Sequence, residues 1–352
     1  MTLQETIRRI QPVDEQSMNQ AREHWNTIAK PLFSLGRLES AVIQIAGIKA
    51  NANFTLARKG LIIMCADNGV VEEGVTQTGQ EVTAIVSDNF SRGESSACIM
   101  ARVAGVEVFP VDIGIAVDVP SITRKDRKIA YGTRNMTMGP AMTREEAIRA
   151  IEVGIALVME RKEEGYDILA AGEMGIGNTT TSSAIAAVLL EQPIEKVTGK
   201  GAGLTKEGLD RKIQAINKAI QVNQPYKEDP IDVLAKVGGF DIAGLVGVFL
   251  GGALCQIPVV IDGFICAVAA LVAARIEPLA RQYMMPSHVS KEPAGQMLLK
   301  ALELQPFITC DMCLGEGTGA IAVLPLLDMG LAVYHQMSSF SDIHIENYEV
   351  LQ

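Results

Sequence analysis

The sequence predicts an α/β protein: a Rossmann-like, mostly parallel sheet flanked by helices, with a small helical subdomain made from the N- and C-terminal segments. Three observations carry that reading. Short β-rich runs at 61–69 ("LIIMCADNG"), 106–114 ("VEVFPVDIG"), 166–175 ("YDILAAGEMG") and 257–264 ("IPVVIDGF") each end in polar or glycine residues. Longer segments of helical period lie between them, and this alternation implies βαβ units and a parallel sheet. The two ends of the chain are helix-like and lack a strand followed by a glycine loop. Residues 1–60 plus 321–352 are therefore assigned to the helical subdomain and 61–320 to the large α/β domain.

The elements can be justified in chain order. In "TREEAIRAIEVGIALVMERKEEG" (143–165) Thr143 and Glu146 have capping-box spacing at the head of a long helix. "SSAIAAVLL" (182–190) reads as a helix, so "GEMGIGNTTT" (172–181) is a strand-to-helix loop in which Asn178 or Thr179 is placed to cap that helix. The small residues of "VGGFDIAGLVGVFLGGA" (237–253) suit a helix packed closely on the sheet. In parallel sheets ligands sit beyond the carboxyl ends of the strands. The acids that close the four runs, Asp67, Asp112, Glu173 and Asp262, are therefore expected around one crevice.

Composition excludes several classes. With 352 residues, 48% hydrophobic and 20% charged, the chain has ample material for a large core. Lys and Arg total 31 against 41 Asp and Glu, a net acidic balance that argues against nucleic acid or an anionic membrane as partner. The opening "MTLQETIRRIQPVDEQ" lacks a basic-then-apolar pattern, and the longest apolar stretches, near 242–275, are broken by Gly, Gln, Pro and Asp, so a cytoplasmic location is expected. Six cysteines (65, 98, 255, 266, 310 and 313) lie mostly in apolar runs, as reduced core thiols do, and the C-x-x-C of "TCDMC" has no second Cys/His pair. Four histidines, at 24, 288, 335 and 344, are too scattered to form a metal cage, so no metal is expected. The Ser-His step in "PSHVS" is read as inert, because adjacent side chains point apart.

What remains are the glycine loops "ADNGVVEEGVTQTGQEVT" (66–83), "GEMGIGN", "TGKGAGLT" (198–205) and "LGEGTGA" (314–320). Two of them hold a glutamate, Glu173 and Glu316, inside glycines ahead of a helix, where folding has no need of an acid. None matches the P-loop or the dinucleotide fingerprint. Nor does any run end in the paired acids that bind the magnesium complex of phosphoribosyl pyrophosphate. Amide-rich loops with two carboxylates suit group transfer on a phosphorylated sugar, with a carboxylate assisting as base and no cofactor.

Taken together, "KPLFSLGRLE" (30–39), "CADNGVVEEGV", "GEMGIGNTT", "NQPYKEDPIDVLAKVGGFDIAGLVGVFLGGA", "PVVIDGFICAVAAL", "PSHVS" and "LGEGTGA" resemble, in order and through nearly the whole chain, the nicotinate-nucleotide:5,6-dimethylbenzimidazole phosphoribosyltransferase (CobT) family. The resemblance implies transfer of the ribose phosphate of nicotinate mononucleotide to an aromatic base in cobalamin nucleotide-loop assembly. It places the catalytic base on Glu316 and a second carboxylate on Glu173. Phosphate and ribose contacts fall on Gly175, Gly177, Asn178, Thr179, Gly201, Gly203 and Lys212. The base site falls on Thr78, Val86, Met174, Leu314 and Gly315. No metal is implied, because no pyrophosphate departs. The expected partners are the two small molecules and a second chain, in a homodimer or a heterodimer. Enterobacterial members have Ser and Gln where this chain places Thr78 and Val86, which makes the base pocket more apolar. Two alternatives stay open on the sequence: a relative accepting phenol or cresol, and a partner subunit of a heteromeric phosphoribosyltransferase. Retention of both glutamates speaks against the second.

Overall fold

The structure is a computed structural model that describes residues 1–122 and 125–349. Five parallel strands, β1 (Lys59–Ala66), β2 (Val106–Gly114), β3 (Ile168–Met174), β4 (Val259–Val260) and β5 (Met284–Met285), form one sheet in the order β2-β1-β3-β4-β5. The apolar runs become strands because helices cover both faces. From Gly60 to Ala66 every residue of β1 is buried, as is Ile168 to Glu173 in β3, the pattern of a two-sided parallel sheet. The run at 257–264 contributes only the two residues of β4. Its remaining polar end turns into the site. β5 escapes sequence reading because two methionines carry neither alternation nor β-branching.

Helix Arg144–Glu163 starts at the Thr143–Glu146 capping box. It crosses helix Phe240–Cys255 at Gly247, where an added Cβ would lie 1.9 Å from the Ile151 carbonyl oxygen. The next turn of the same helix meets the sheet, Gly244 lying against Ile113 and Met64. The small residues of this helix thus serve packing on two sides.

Helices Glu15–Thr27, Arg37–Lys49 and Thr318–Gln336 pack together, with His24 and Trp25 against the Tyr334 ring and a bridge between Ile28 and Ser339. A buried ion pair at 2.6 Å, Lys30–Glu39, braces the turn between the first two. The opening helix Leu3–Arg9 lies elsewhere, its Leu3 amide donating to Glu152 of the large domain's long helix at 2.9 Å. We propose the helices that pack around Tyr334 as the small subdomain. Helix Thr318–Gln336 is long and apolar enough to cross a membrane, but carries Pro325 and buries Ile321, Leu324, Leu327 and Leu331 inside the protein.

Candidate active site

Beyond the carboxyl ends of β3 and β4 lies a cavity of about 790 Å³, walled by the loops at 173–179, 200–204, 262–266 and 313–316 and by residues 75–78. Its chemistry starts with Glu316. Gly315, Glu316 and Gly317 all have positive φ (85°, 60° and 83°), a left-handed run that L side chains resist. The flanking glycines let the backbone make that turn. The turn rests directly on β3, where an added Cβ on Gly172 would meet the Glu316 carbonyl carbon and oxygen at 2.9 Å. The half-buried Glu316 side chain reaches helix Ser96–Ala104, and its Oε2 accepts from the Ala97 amide at 3.3 Å. Burial raises the Glu316 pKa, and the Ala97 N–H opposes that rise by favouring the charged form.

Glu173 closes β3 and is buried. Its Oε2 accepts from the Asn178 amide, while Gly315 lies against its Oε1. The same Asn178 Nδ2 is 3.0 Å from Asp241 Oδ2. Burial first, and then the negative charge of Asp241, push the Glu173 carboxyl up to about 8, and burial pushes Asp241 up to about 6. At neutral pH Glu173 therefore carries its proton. Asp262 has a different task. Its carboxylate accepts from the amides of Gly317, Gly319 and Ala320 at 3.1, 2.8 and 3.2 Å, and so caps helix Thr318–Gln336 from β4's side.

In another wall, helix Asn178–Leu189 begins after Gly177 (φ 94°) with no side-chain cap; the amides of Asn178 and Thr180 donate to the Gly175 and Gly177 carbonyls at 3.0 and 2.9 Å, so the positive end of the helix offers an anion the Thr179 amide, which has no acceptor among the described residues. The expectation that Asn178 or Thr179 caps this helix is corrected here: Asn178 is its first residue and turns to the two acids. Thr179 Oγ1 accepts from Lys212 Nζ at 2.8 Å, and the Gly199 carbonyl accepts from it at 3.1 Å. Lys212 is wholly buried, and burial lowers its pKa to about 8.

Of the residues singled out in the sequence, Glu173, Met174, Gly175, Gly177, Asn178, Thr179, Gly201, Gly203, Leu314, Gly315, Glu316, Thr78 and Val86 all line this cavity. Lys212 stands one layer behind, acting through Thr179 and the 199–201 turn. Two of the four strand-end acids do not join the crevice. Asp67 turns to the Ala116 amide at 2.8 Å, and Asp112 to the Ile115 amide and Lys128, because the loops after β1 and β2 leave backbone donors beside them. Sequence reading also missed Asp241, His288 and Ser290. The side chains of the Ser-His step do not point apart as expected, Ser287 Oγ lying 3.1 Å from His288 Nδ1, but the Ser287 hydroxyl donates to the Asp262 carbonyl oxygen at 3.3 Å. Of the thiols, Cys65, Cys98 and Cys266 are buried, whereas Cys310 and Cys313 of the C-x-x-C are exposed.

A sequence profile described as phosphoribosyltransferase matches residues 10–345. The nicotinate-nucleotide-dimethylbenzimidazole phosphoribosyltransferase of Ruminiclostridium cellulolyticum is 47% identical over 352 residues, the whole of both chains. That of Clostridium acetobutylicum is 46% identical over the same span. The crystal structure of CobT from Thermus thermophilus superposes with a TM-score of 0.88 at 36% identity, covering 95% of this chain and 100% of that one. Matched along nearly its whole length, the chain belongs to the phosphoribosyltransferase family that contains the nicotinate-nucleotide-dimethylbenzimidazole enzymes.

Proposed function

We propose that the chain transfers the 5-phosphoribosyl group of nicotinate mononucleotide to 5,6-dimethylbenzimidazole, releasing nicotinate and forming α-ribazole 5′-phosphate. The observation that carries this reading is the meeting, in the walls of one cavity, of a helix N-terminus backed by Lys212 and a glutamate held in a left-handed glycine turn. The first suits a phosphate and the second suits a proton acceptor.

In the donor, C1′ is bonded to a pyridinium nitrogen, so nicotinate departs with the bonding pair and needs no acid. As one azole nitrogen of the acceptor attacks C1′, the other loses its proton to Glu316. Glu173, protonated below about pH 8, brings no second negative charge to the acceptor and supports the Gly315 turn through its Oε1 face. Thr78, Val86, Met174 and Leu314 give the acceptor end a largely apolar wall. We further propose a cytoplasmic homodimer. The membrane-length helix Thr318–Gln336 is largely occupied by protein contacts, which supports the location, and the exposed Ile85, Ile99 and Val103 offer apolar surface for a second copy.

The test offers the purified chain nicotinate mononucleotide with equimolar 5,6-dimethylbenzimidazole, benzimidazole and p-cresol, and identifies products by mass. Both benzimidazole ribotides are expected, at rates within the roughly 10- to 200-fold that an apolar wall gives per methyl-sized change. Exclusive formation of the cresol ribotide would favour the phenolic alternative. No ribotide at all would refute the activity.

A further inference from the structure

The exposed thiols among the described residues, Cys310 and Cys313, have no part in the proposed reaction, yet Cys313 lines the cavity a few residues before Glu316. The segment that carries them is pinned twice to one neighbouring stretch. The Ile308 carbonyl accepts from the Val289 amide at 3.1 Å, beside a parallel bridge between His288 and Ile308, and the Met312 carbonyl accepts from the Lys291 amide at 3.2 Å. Parallel strands advance in step, but here the chain takes four steps, 308 to 312, against two, 289 to 291. Four extended steps would cover about 13 Å, and two cover about 7 Å. The surplus therefore folds outward between Ile308 and Met312, through a bend at Cys310 and a left-handed Asp311, φ 50°. Cys310 sits on that fold and Cys313 just past its second anchor. Folding brings the pair inside the roughly 10 Å of an extended i, i+3 spacing and towards the roughly 4.4–6.8 Å between Cα atoms that a disulfide spans. Among the described residues no hydrogen bond holds the backbone of Thr309, Cys310, Asp311, Cys313 or Leu314, so this loop is free to adjust.

Two thiols are too few ligands for a metal ion, and no group of three or more His, Cys, Asp or Glu among the described residues could hold one, so the pair suits covalent chemistry instead. We propose that Cys310 and Cys313 are a redox modification site: a low-molecular-weight disulfide, such as oxidised glutathione, converts them to an internal disulfide that halts turnover. One of the two thiolates attacks a glutathione sulfur, breaking the glutathione S–S bond and leaving a mixed disulfide. The other attacks the protein sulfur of that mixed disulfide, forming the Cys310–Cys313 bond and expelling the second glutathione. The protein gives up two electrons and two protons, and glutathione disulfide becomes two thiols. Closing the bridge draws Cys313 towards Cys310, and with it Leu314 and Gly315 of the cavity wall, which lead directly into the Glu316 turn. Displacing a reacting group by about 1 Å costs about a hundredfold in rate. The loss of turnover rests on the proposed phosphoribosyl transfer; formation of the bridge does not.

The experiment incubates the purified full chain with oxidised glutathione, blocks remaining thiols by alkylation, and reads bridges and adducts by peptide mass alongside turnover. The wild type should lose two hydrogens, show a linked Cys310–Cys313 peptide, and fall at least about tenfold in turnover. Dithiothreitol should restore it. Cys310→Ser, which alters a residue outside the cavity wall, should match the wild type when reduced. With no resolving thiol it should form no internal bridge and should accumulate a glutathione adduct on Cys313 instead. A stable glutathione adduct on the wild type with no Cys310–Cys313 link, or a link that leaves turnover unchanged, overturns the proposal and leaves the transfer reaction standing. Absence of turnover by the reduced wild type overturns the transfer reaction, while the mass readout still decides whether the bridge forms.

Discussion

Glu173 and Asp241 share a donor, the Asn178 Nδ2, which lies 3.0 Å from Asp241 and also bonds Glu173, while the Ile242 amide gives Asp241 a second bond at 3.0 Å. The second bond goes to Asp241 and not to Glu173, so burial and the neighbouring charge favour a proton on Glu173. The consequence for stability has a definite sign. Glu173 is raised from 4.5 to about 8, so its contribution is full below about pH 4.5 and is lost as pH rises through about 8. Glu173→Gln removes that dependence. Urea unfolding should find the variant gaining on the wild type between pH 5 and pH 9 by more than about 1.4 kcal/mol, the equivalent of one pKa unit. An equal difference at both pH values would show that Glu173 is not raised.

Among the described residues, Lys212 reaches the cavity through Thr179 and the 199–201 turn. An anchor for the phosphate acts equally before and during transfer. Lys212→Ala should therefore raise KM for the nucleotide by about tenfold or more and change kcat little. A fall in kcat at constant KM would place Lys212 in the chemical step instead.

Gly172 has no room for a side chain because the Glu316 backbone rests on it. Gly172→Ala should cost about 1–3 kcal/mol by overpacking. It should also displace the Glu316 turn, lowering kcat more than tenfold by a shift in base position. Wild-type melting temperature and turnover in this variant would contradict the contact.

How much of this was legible follows from how local each signal is. The runs that became β1 and β3 announced themselves because a buried parallel strand is a continuous apolar run, the edge strand β2 by its valines and its polar, glycine-ended close, and the Thr143–Glu146 box because its partners are three residues apart. Glu173 and Glu316 stood out as acids in glycine loops. Asp241 did not, since it sits near the start of an apolar helix and its partner Asn178 is 63 residues away in sequence. Asp67 and Asp112 misled for the same reason. A strand-end acid looks alike in sequence whether it faces the crevice or folds back onto a loop amide. The cap of helix Asn178–Leu189 was misplaced because Asn178 is a good cap by type, and only the two acids beside it explain why it serves them instead.

The central claim, that Glu316 takes the acceptor's proton during phosphoribosyl transfer, is tested most directly by the turnover of Glu316→Gln with nicotinate mononucleotide and 5,6-dimethylbenzimidazole. The variant keeps the size of the side chain and can still accept from the Ala97 amide through its carbonyl oxygen, so the fold and nucleotide binding should persist. Turnover should fall at least about a hundredfold, the scale of a lost general base. Turnover within a fewfold of the wild type, at unchanged KM, would remove Glu316 from the reaction and the account with it.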